Sequence, residues 1–269
     1  MKTKSENKAK QELFKFAFFP KYHDAIKYLA EELADKEDDW DFSGTKTPTH
    51  AILKNYLEHM FRKLQHEKKI HFTGDNKYAC FNTGLVTDNW EEIYAFFEQY
   101  NKPKEQYDNP PFCFKAFMKK SNRELLAQFH NNLPEIADFF QKPEDLIFNP
   151  KCELIPEIDH IIEDNKERFP VHMQNCDNAE MRRKLEGAIE EVKRKVKTNY
   201  KIAVPQYFNG RIQLLLPLCL TPNSKNPDLA LVVHKLNDTI YTARTCLTLK
   251  MAYNNARLIV KPQSSWLKP

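Results

Sequence analysis

The chain has 269 residues, with 41 basic and 37 acidic side chains and a net charge of +4. Hydrophobic residues make up 41% of it and aromatic residues 12%, which is enough apolar material for folded cores and argues against intrinsic disorder. This length predicts two domains rather than one small core.

We expect no targeting signal in the N-terminal stretch. Residues 1–10 are polar and lysine-rich, with no apolar segment behind them. Nothing in the sequence approaches the roughly 18 uninterrupted apolar residues of a membrane-spanning helix. We therefore expect a cytoplasmic protein that has no membrane partner.

Residues 1–150 are predicted to form a mainly helical part. Residues 22–33 are predicted as a short helix, and apolar positions recur at helical spacing over Ile52–Lys69. A hairpin is predicted directly afterwards, at 70–81. A helix followed by a hairpin resembles the second half of a winged-helix module, and a plain α+β packing unit explains the same pattern.

The remainder of this part is predicted from its composition. Residues 89–100 are rich in aromatic side chains and are predicted as a helix. Residues 101–111 contain three prolines and predict a linker or long loop. Further helices are predicted at Arg123–Gln128 and after Pro134, and Asn149-Pro150 marks the predicted domain boundary.

Residues 151–269 are predicted to form a basic α+β domain, in which a four-strand antiparallel meander lies between two helices. The first of these helices, Ala179–Lys197, has an amphipathic stripe, and a polar helix at Asp159–Arg168 precedes it. Asn209-Gly210 is a typical two-residue hairpin turn, and Pro205 predicts that the first strand is an edge strand. The predicted strands are 202–208, 211–220, 229–236 and 239–249, followed by the closing helix 250–259.

Charge is distributed unevenly along the chain. Residues 1–150 hold 22 basic and 24 acidic side chains, whereas residues 170–269 hold 16 and 7, a net charge of +9. This polarity predicts an anionic partner, RNA or another phosphate-bearing ligand, for the C-terminal domain. A lysine-rich solvated surface is the alternative explanation.

Several common catalytic motifs are missing. The five glycines stand apart from one another, so neither a Walker A loop nor GxGxxG can be written. KxDG, HExxH, GxSxG and the kinase motifs are also absent. The six cysteines form no CxxC pair and predict reduced, mostly buried thiols. We therefore predict no cofactor and no metal site.

The first candidate site contains His160 and Asp164, four residues apart on one face of a predicted helix. The carboxylate can orient the imidazole, as a general base requires. A chance pair on a surface helix is the alternative. His234, within an apolar strand, is interpreted as a core or face histidine.

The second candidate site surrounds the first hairpin, where Tyr207 and Arg211 lie near Tyr200 and Gln206. Aromatic and amide side chains beside an arginine suit nucleobase recognition. An ordinary strand whose tyrosines pack in the core is the alternative.

The third candidate site joins the last strand to the last helix, where two arginines and helical polar residues could clamp a phosphate. A structural arginine network explains the same residues equally well. The members are Arg244, Tyr253, Asn254, Asn255, Arg257 and Lys261.

Five segments resemble a bacterial family known as a domain of unknown function, over nearly the whole chain. Relatives in that family are often attached to LOTUS-type winged helices or cold-shock domains, so the resemblance implies a connection with RNA. It assigns no catalytic residue. The segments are 81–85, 159–170, 203–207, 210–220 and 251–258.

Together these patterns predict an RNA-binding protein with ribonuclease-like, metal-independent chemistry. His160 or Tyr253 is expected near the proton transfer, and Arg211, Arg244 and Arg257 are expected at the phosphate. A non-catalytic module that binds RNA or protein is the first alternative. An enzyme acting on a nucleotide or small phosphorylated metabolite is the second.

Overall fold

The computed structural model describes residues 12–35, 40–42, 48–100, 110–222, 224, 226–262 and 266–268. Within it the fold is mixed α+β, as predicted, and the chain divides into two compact units, Met1–Asp138 and Phe139–Pro269. The polar N-terminal residues 1–10 and most of the predicted linker 101–111 lie outside the described residues.

Unit 1 is built on a five-stranded sheet, here called sheet 1. Its strand order is β1-β5-β4-β3-β2, in which β1 pairs parallel with β5 and the other pairs are antiparallel. Its elements are α1 (Glu12–Phe16), β1 (Ala17–Phe18), α2 (Tyr22–Tyr28) with a π-helical turn (Leu29–Leu33), α3 (Ala51–His66), β2 (His71–Phe72), β3 (Tyr78–Val86), β4 (Glu92–Gln99), β5 (Phe112–Lys119) and α4 (Arg123–Phe129).

Helices cover both faces of sheet 1. The apolar stripe of α3 is buried as its spacing predicts, and the Phe61 ring lies 5.5 Å from the Phe81 ring of β3. On the other face α4 contributes Leu125 and Phe129 to a second core cluster. The sheet members of that cluster are Cys80, Tyr94, Phe96 and Met118.

The helix predicted at 89–100 is wrong, because these residues form strand β4. Its residues from Ile93 to Phe97 are all buried between the two helical layers, and a strand buried on both faces shows no alternating pattern. The turn before it is closed by hydrogen bonds between Thr87 and both Trp90 and Glu91. The prediction that residues 1–150 are mainly helical is therefore wrong, because a five-stranded sheet forms the centre of unit 1.

The motif 81–85 has a structural role in β3. Gly84 has a φ of +74°, and a Cβ there would lie 2.7 Å from the hydroxyl oxygen of Tyr56. That hydroxyl donates a hydrogen bond to the carbonyl of Thr83, at 3.0 Å. Glycine is therefore required both by the backbone conformation and by the close approach of α3.

The helix predicted after Pro134 is also wrong, because residues 132–140 are irregular. Side chains from elsewhere in unit 1 bind their backbone instead. The amide of Asp138 donates to the carboxylate of Glu67, and the ammonium of Lys69 donates to the carbonyl of Ile136 at 2.8 Å. These tertiary contacts outweigh the local helical tendency.

Unit 2 contains a second five-stranded sheet, here called sheet 2. Its order is β6-β10-β9-β8-β7, in which β6 pairs parallel with β10 and the remaining pairs are antiparallel. Its elements are β6 (Glu153–Pro156), α5 (Ile158–Asn165), α6 (Val171–Gln174), α7 (Asn178–Thr198), β7 (Val204–Phe208), β8 (Arg211–Leu218), β9 (Leu229–Lys235), β10 (Ile240–Thr248) and α8 (Leu249–Ala256).

Several local predictions for unit 2 are confirmed. The predicted apolar stripe of α7 is buried, from Met181 to Val196. Asn209 and Gly210 have φ angles of 48° and 83°, as the predicted two-residue turn requires. Pro205 lies in β7, which is an edge strand. The strand β6, which the sequence showed only as a short apolar segment, extends the sheet at the opposite edge.

The six cysteines are thiols rather than disulfides, and Cys80, Cys152 and Cys246 are buried. Burial raises the pKa of Cys246 to about 12, so this thiol stays protonated. Among the described residues, no helix is long and apolar enough to cross a bilayer.

Candidate functional site

One face of sheet 2 is polar along part of its surface. Leu215 of β8 is directly opposite Val204 on β7 and Val232 on β9, so these three side chains share a face. Side chains two residues apart along a strand lie on that same face. We call it the polar face, after its members Gln206, Phe208, Arg211, Gln213, His234 and Thr242.

The other face of sheet 2 carries the core of the unit. Leu214, Leu216 and Val233 pack there with the buried stripe of α7. Helix α8 crosses the polar face, since its Asn255 binds Gln206. The polar face is therefore covered in part by α8, opposite α7.

A β-bulge in β10 sets the position of Arg244. Ala243 is opposite Val233 and Thr245 is opposite Val232, so Arg244 is an inserted residue with no partner of its own on β9. Bulges redirect side chains and are frequent beside functional sites. The Arg244 side chain is 57% exposed.

Arg244 links the end of β6 to helix α5. Its Nε lies 3.1 Å from Oε1 of Glu157, and its Nη2 lies 3.4 Å from Nε2 of His160. His160 in turn lies 3.3 Å from Oδ2 of Asp164. We call Glu157, His160, Asp164 and Arg244 the Arg244 cluster. All four side chains are between 39% and 60% exposed.

His160 lies between a hydrogen-bond donor and an acceptor. A neutral imidazole can accept a hydrogen bond at Nε2 from the guanidinium of Arg244. An imidazole that carries a hydrogen on Nε2, whether neutral or protonated, can instead donate to the carboxylate of Asp164. The same ring nitrogen can therefore accept a hydrogen bond from Arg244 or donate one to Asp164, the two roles that a proton-transfer group needs.

A buried network holds the bulge and helix α5 together. Asn165 is 1% exposed, and its Oδ1 accepts hydrogen bonds from Arg168 at 2.7 Å and from Thr245 at 2.8 Å. Arg168 also donates to the carbonyl of Cys246, at 2.7 Å. The network therefore fixes Thr245 and Cys246, which follow Arg244 in β10, against the C-terminal end of helix α5.

His234 lies near these groups, although the residues around it in the sequence did not predict a functional role. It is opposite Thr242 on the polar face and is half-buried. Burial lowers the pKa of His234, and the positive charges of Arg211 and Arg244 lower it further, against the opposing effect of Glu157. The neutral imidazole is thus favoured there. The only sequence signal was a polar residue ending a buried apolar strand.

Amide side chains form a ladder beside these charged groups. Asn255 donates to Oε1 of Gln206 at 3.1 Å, and Gln206 donates to Oε1 of Gln213 at 2.9 Å. Gln206 is 1% exposed, so the ladder is a structural element of the polar face.

The second sequence-predicted group divides between the two faces of sheet 2. Arg211 and Gln206 lie on the polar face. Tyr207 alternates with Gln206 and points to the opposite face, where its ring contacts that of Phe139 edge-on at 5.1 Å. Tyr200 lies at the far end of β7 from the hairpin and is 62% exposed.

The third group is spread along α8 and beyond it. Asn255 reaches β7 at one edge of the sheet, whereas Arg244 reaches Glu157 beside β6 at the other. Tyr253 is buried, and Arg257 and Lys261 are half-buried. Asn254 Oδ1 is buried and accepts no hydrogen bond from the described residues.

Four of the seven cations of α7 form ion pairs with carboxylates. Lys184 pairs with Glu180 at 2.7 Å, Lys193 pairs with Glu190 at 2.6 Å, and Lys195 pairs with Glu191. Arg182 binds both Glu186 and Asp159. Exposed pairs of this kind contribute little to stability, but they reduce the positive potential of the helix. These pairs therefore offset part of the positive charge of α7.

Within the part of the chain that the structure describes, no three His, Cys, Asp or Glu side chains are grouped so that they could hold a metal ion. The chemistry that the site offers comes from imidazole, guanidinium and carboxylate groups. These groups can bind an anion and exchange protons.

The comparisons with known proteins identify a family. A family model described as "Domain of unknown function (DUF3825)" matches residues 30–266. No curated protein and no solved structure matches the chain. Because the match includes nearly all of unit 2 and most of unit 1, the chain belongs to the family of the domain of unknown function DUF3825.

Proposed function

We propose that this protein binds RNA and cleaves it by metal-independent phosphoryl transfer at the Arg244 cluster and the adjoining polar face. The observation that carries the proposal is the contact of the bulge residue Arg244 with His160 on an exposed surface. A guanidinium beside an imidazole supplies a phosphate ligand and a proton-transfer group at the same place.

Arginine side chains bind the scissile phosphate. Arg244 exchanges its carboxylate partner Glu157 for two phosphate oxygens, which its planar guanidinium can bind together. Arg211, whose charge like that of Arg244 acts on His234, adds a second positive charge. Both stabilise the charge that builds up on the phosphorane as the bond to the attacking oxygen forms.

Two histidines supply the proton transfers. His234, whose pKa is lowered, is the neutral base that removes the proton from the 2′-hydroxyl. The 2′-oxygen attacks phosphorus, the bond from phosphorus to the 5′-oxygen breaks, and protonated His160 gives its proton to that oxygen. The products are a 2′,3′-cyclic phosphate and a 5′-hydroxyl end, with no other reactant consumed.

An open site favours a polymer over a small metabolite. The four side chains of the Arg244 cluster are each at least 39% exposed, whereas a site for a nucleotide or a small phosphorylated compound buries most of its ligand. A non-catalytic RNA-binding module uses the same surface and differs in making no product.

The test is incubation of the purified chain with a labelled RNA oligonucleotide of mixed sequence, with and without EDTA. We expect fragments with 2′,3′-cyclic phosphate ends, identified by mass spectrometry, in equal yield under both conditions. The matched substrate carries 2′-deoxyribose throughout. It is expected to bind but stay intact, because it lacks the attacking hydroxyl.

Two results would contradict the proposal in different ways. Intact RNA together with salt-dependent binding would leave the non-catalytic module as the function. Intact RNA without such binding, and thermal stabilisation by mononucleotides instead, would favour the enzyme acting on a small phosphorylated compound.

A further inference from the structure

An exposed aromatic ring ends the polar face at the β7–β8 hairpin. Phe208 is 44% exposed and is the last residue of β7. It lies directly opposite Arg211, the first residue of β8, so the ring and the guanidinium stem emerge side by side from one face. A single exposed apolar residue is ordinary on a protein surface, so its meaning depends on its neighbours.

The hairpin fixes the backbone position of Phe208. Asn209 and Gly210 form the tight turn between Phe208 and Arg211, with both φ angles positive. The next cross-strand pair on the same face is Gln206 and Gln213, whose amides are bonded to each other and, through Gln206, to Asn255. The backbone that carries the ring is therefore held by a short turn on one side and a buried ladder on the other, which lowers the cost of ordering this segment on binding.

The polar groups extend from this ring towards the bulge. His234 lies on the polar face between β8 and β10, close enough to Arg211 and to Arg244 for both charges to act on it. This surface thus presents an aromatic ring, that of Phe208, followed by the cations Arg211 and Arg244 and the imidazole of His234. A nucleotide presents the same order, a flat base joined to a phosphodiester.

We propose that Phe208 is a base-stacking subsite and that Arg211 binds the adjacent phosphate, so the substrate class is single-stranded RNA. The inference rests on the proposed function. A base stacks on a ring only when it is unstacked from its neighbours, which is easy in single strands and costly in a duplex. The charge of the polar face favours a polyanion over an apolar peptide as its occupant.

The test measures binding by fluorescence anisotropy with three labelled probes. These are a 2′-deoxy single strand, the same backbone with abasic sites, and a blunt duplex of the same length. The wild-type chain is expected to bind the base-bearing strand most tightly. Phe208→Ala is expected to weaken that binding about 5- to 150-fold, the range found when a stacking ring is removed, and to leave binding of the abasic strand unchanged.

Two variants separate stacking from a general effect. Phe208→Trp keeps a flat ring and is expected to retain or strengthen binding. Trp90→Ala removes an exposed ring from the turn between β3 and β4 of sheet 1, and is expected to have no effect on binding. Thermal unfolding and circular dichroism of each variant check that the hairpin remains folded.

The outcomes distinguish this inference from the function on which it rests. Equal affinity for the base-bearing and abasic strands, or unchanged binding by Phe208→Ala, would overturn the stacking subsite while RNA binding by phosphate contacts stands. Failure to bind any of the three probes would overturn both. Loss of binding in Phe208→Trp as well as in Phe208→Ala, with the fold intact, would also count against stacking.

Discussion

The two units of the molecule share one topology. The first strand of each, β1 or β6, is a parallel edge strand, and a short helix follows the four consecutive antiparallel strands. The strand orders, β1-β5-β4-β3-β2 and β6-β10-β9-β8-β7, correspond strand for strand. A longer helix, α3 or α7, precedes the first antiparallel strand in each unit. The architecture therefore recurs although no repeat is visible in the sequence.

The units differ on the face opposite the longer helix. In sheet 1 that face is a closed core of Cys80, Tyr94, Phe96 and Met118 under α4. In sheet 2 the corresponding face carries amides, arginine and histidine and is covered in part by α8. The same fold thus forms a packing unit in one case and a candidate site in the other, so the side chains rather than the topology carry the chemistry.

Even the bulge in the last strand is common to both units. In β5 the inserted residue is Lys115, between the pairs Phe114–Phe97 and Ala116–Phe96. It forms an ion pair with Glu98 of the neighbouring strand, at 2.9 Å. Arg244 occupies the equivalent place in β10, but it contacts a histidine as well as a carboxylate. Lys115 is therefore a matched control for Arg244.

The largest expected effect is that of Arg244→Ala on RNA cleavage. Removing a donor that stabilises charge in the transition state lowers kcat by about 100- to 1000-fold. Lys115→Ala removes the other exposed bulge cation and is expected to leave kcat unchanged. Single-turnover cleavage of the labelled RNA measures both variants, and equal rates for the two would show that the bulge cations have no special role.

Local signals predicted much of unit 2 but less of unit 1. The stripe of α7 and the Asn209-Gly210 turn are properties of adjacent residues, which the sequence displays directly. The sequence did not predict strand β4, because a strand that is buried on both faces lacks the alternation of polar and apolar residues that indicates a strand. The order of the strands depends on pairings between distant segments, which no local pattern records.

The sequence predicted individual residues of the candidate site but not the contacts that bring them together. The spacing of His160 and Asp164 correctly placed them on one helix face, where they are 3.3 Å apart. Their contact with Arg244 depends on the parallel strand β6 and on a bulge, and it joins residues 84 apart in the chain. His234 was interpreted as a core or face histidine, since its charged neighbours come from other strands.

A second prediction compares a glycine of each sheet. Ala at Gly84 must adopt a positive φ and also meets the Tyr56 hydroxyl at 2.7 Å, so we expect Gly84→Ala to destabilise unit 1 by about 2–4 kcal/mol. Gly210 has a similar φ, but a Cβ added there would have nothing within 4 Å, so Gly210→Ala is expected to cost only about 1–2 kcal/mol. Urea denaturation measures both, and equal losses would mean that contact with Tyr56 adds nothing.

The smallest expected effects are two opposite dependences of stability on pH. Burial raises the pKa of Glu58 in α3, although backbone N–H groups of Glu12 and Leu13 oppose the shift. The folded state therefore holds this proton more tightly than the unfolded state, and stability falls as pH rises above the ordinary value of 4.5. Glu58→Gln is expected to flatten that decline in unit 1.

His234 has the opposite sign. Its pKa is lowered in the folded state, so the unfolded state binds the proton more readily, and stability falls as pH drops below the ordinary value of 6.5. His234→Gln keeps a polar side chain that cannot be protonated and is expected to remove this decline, while Glu58→Gln leaves it in place. Urea titrations at several pH values measure the two slopes. An unchanged acid slope in His234→Gln would mean that neither burial nor the charges of Arg211 and Arg244 lower the pKa of this imidazole, and would remove the reason for assigning His234 as the neutral base.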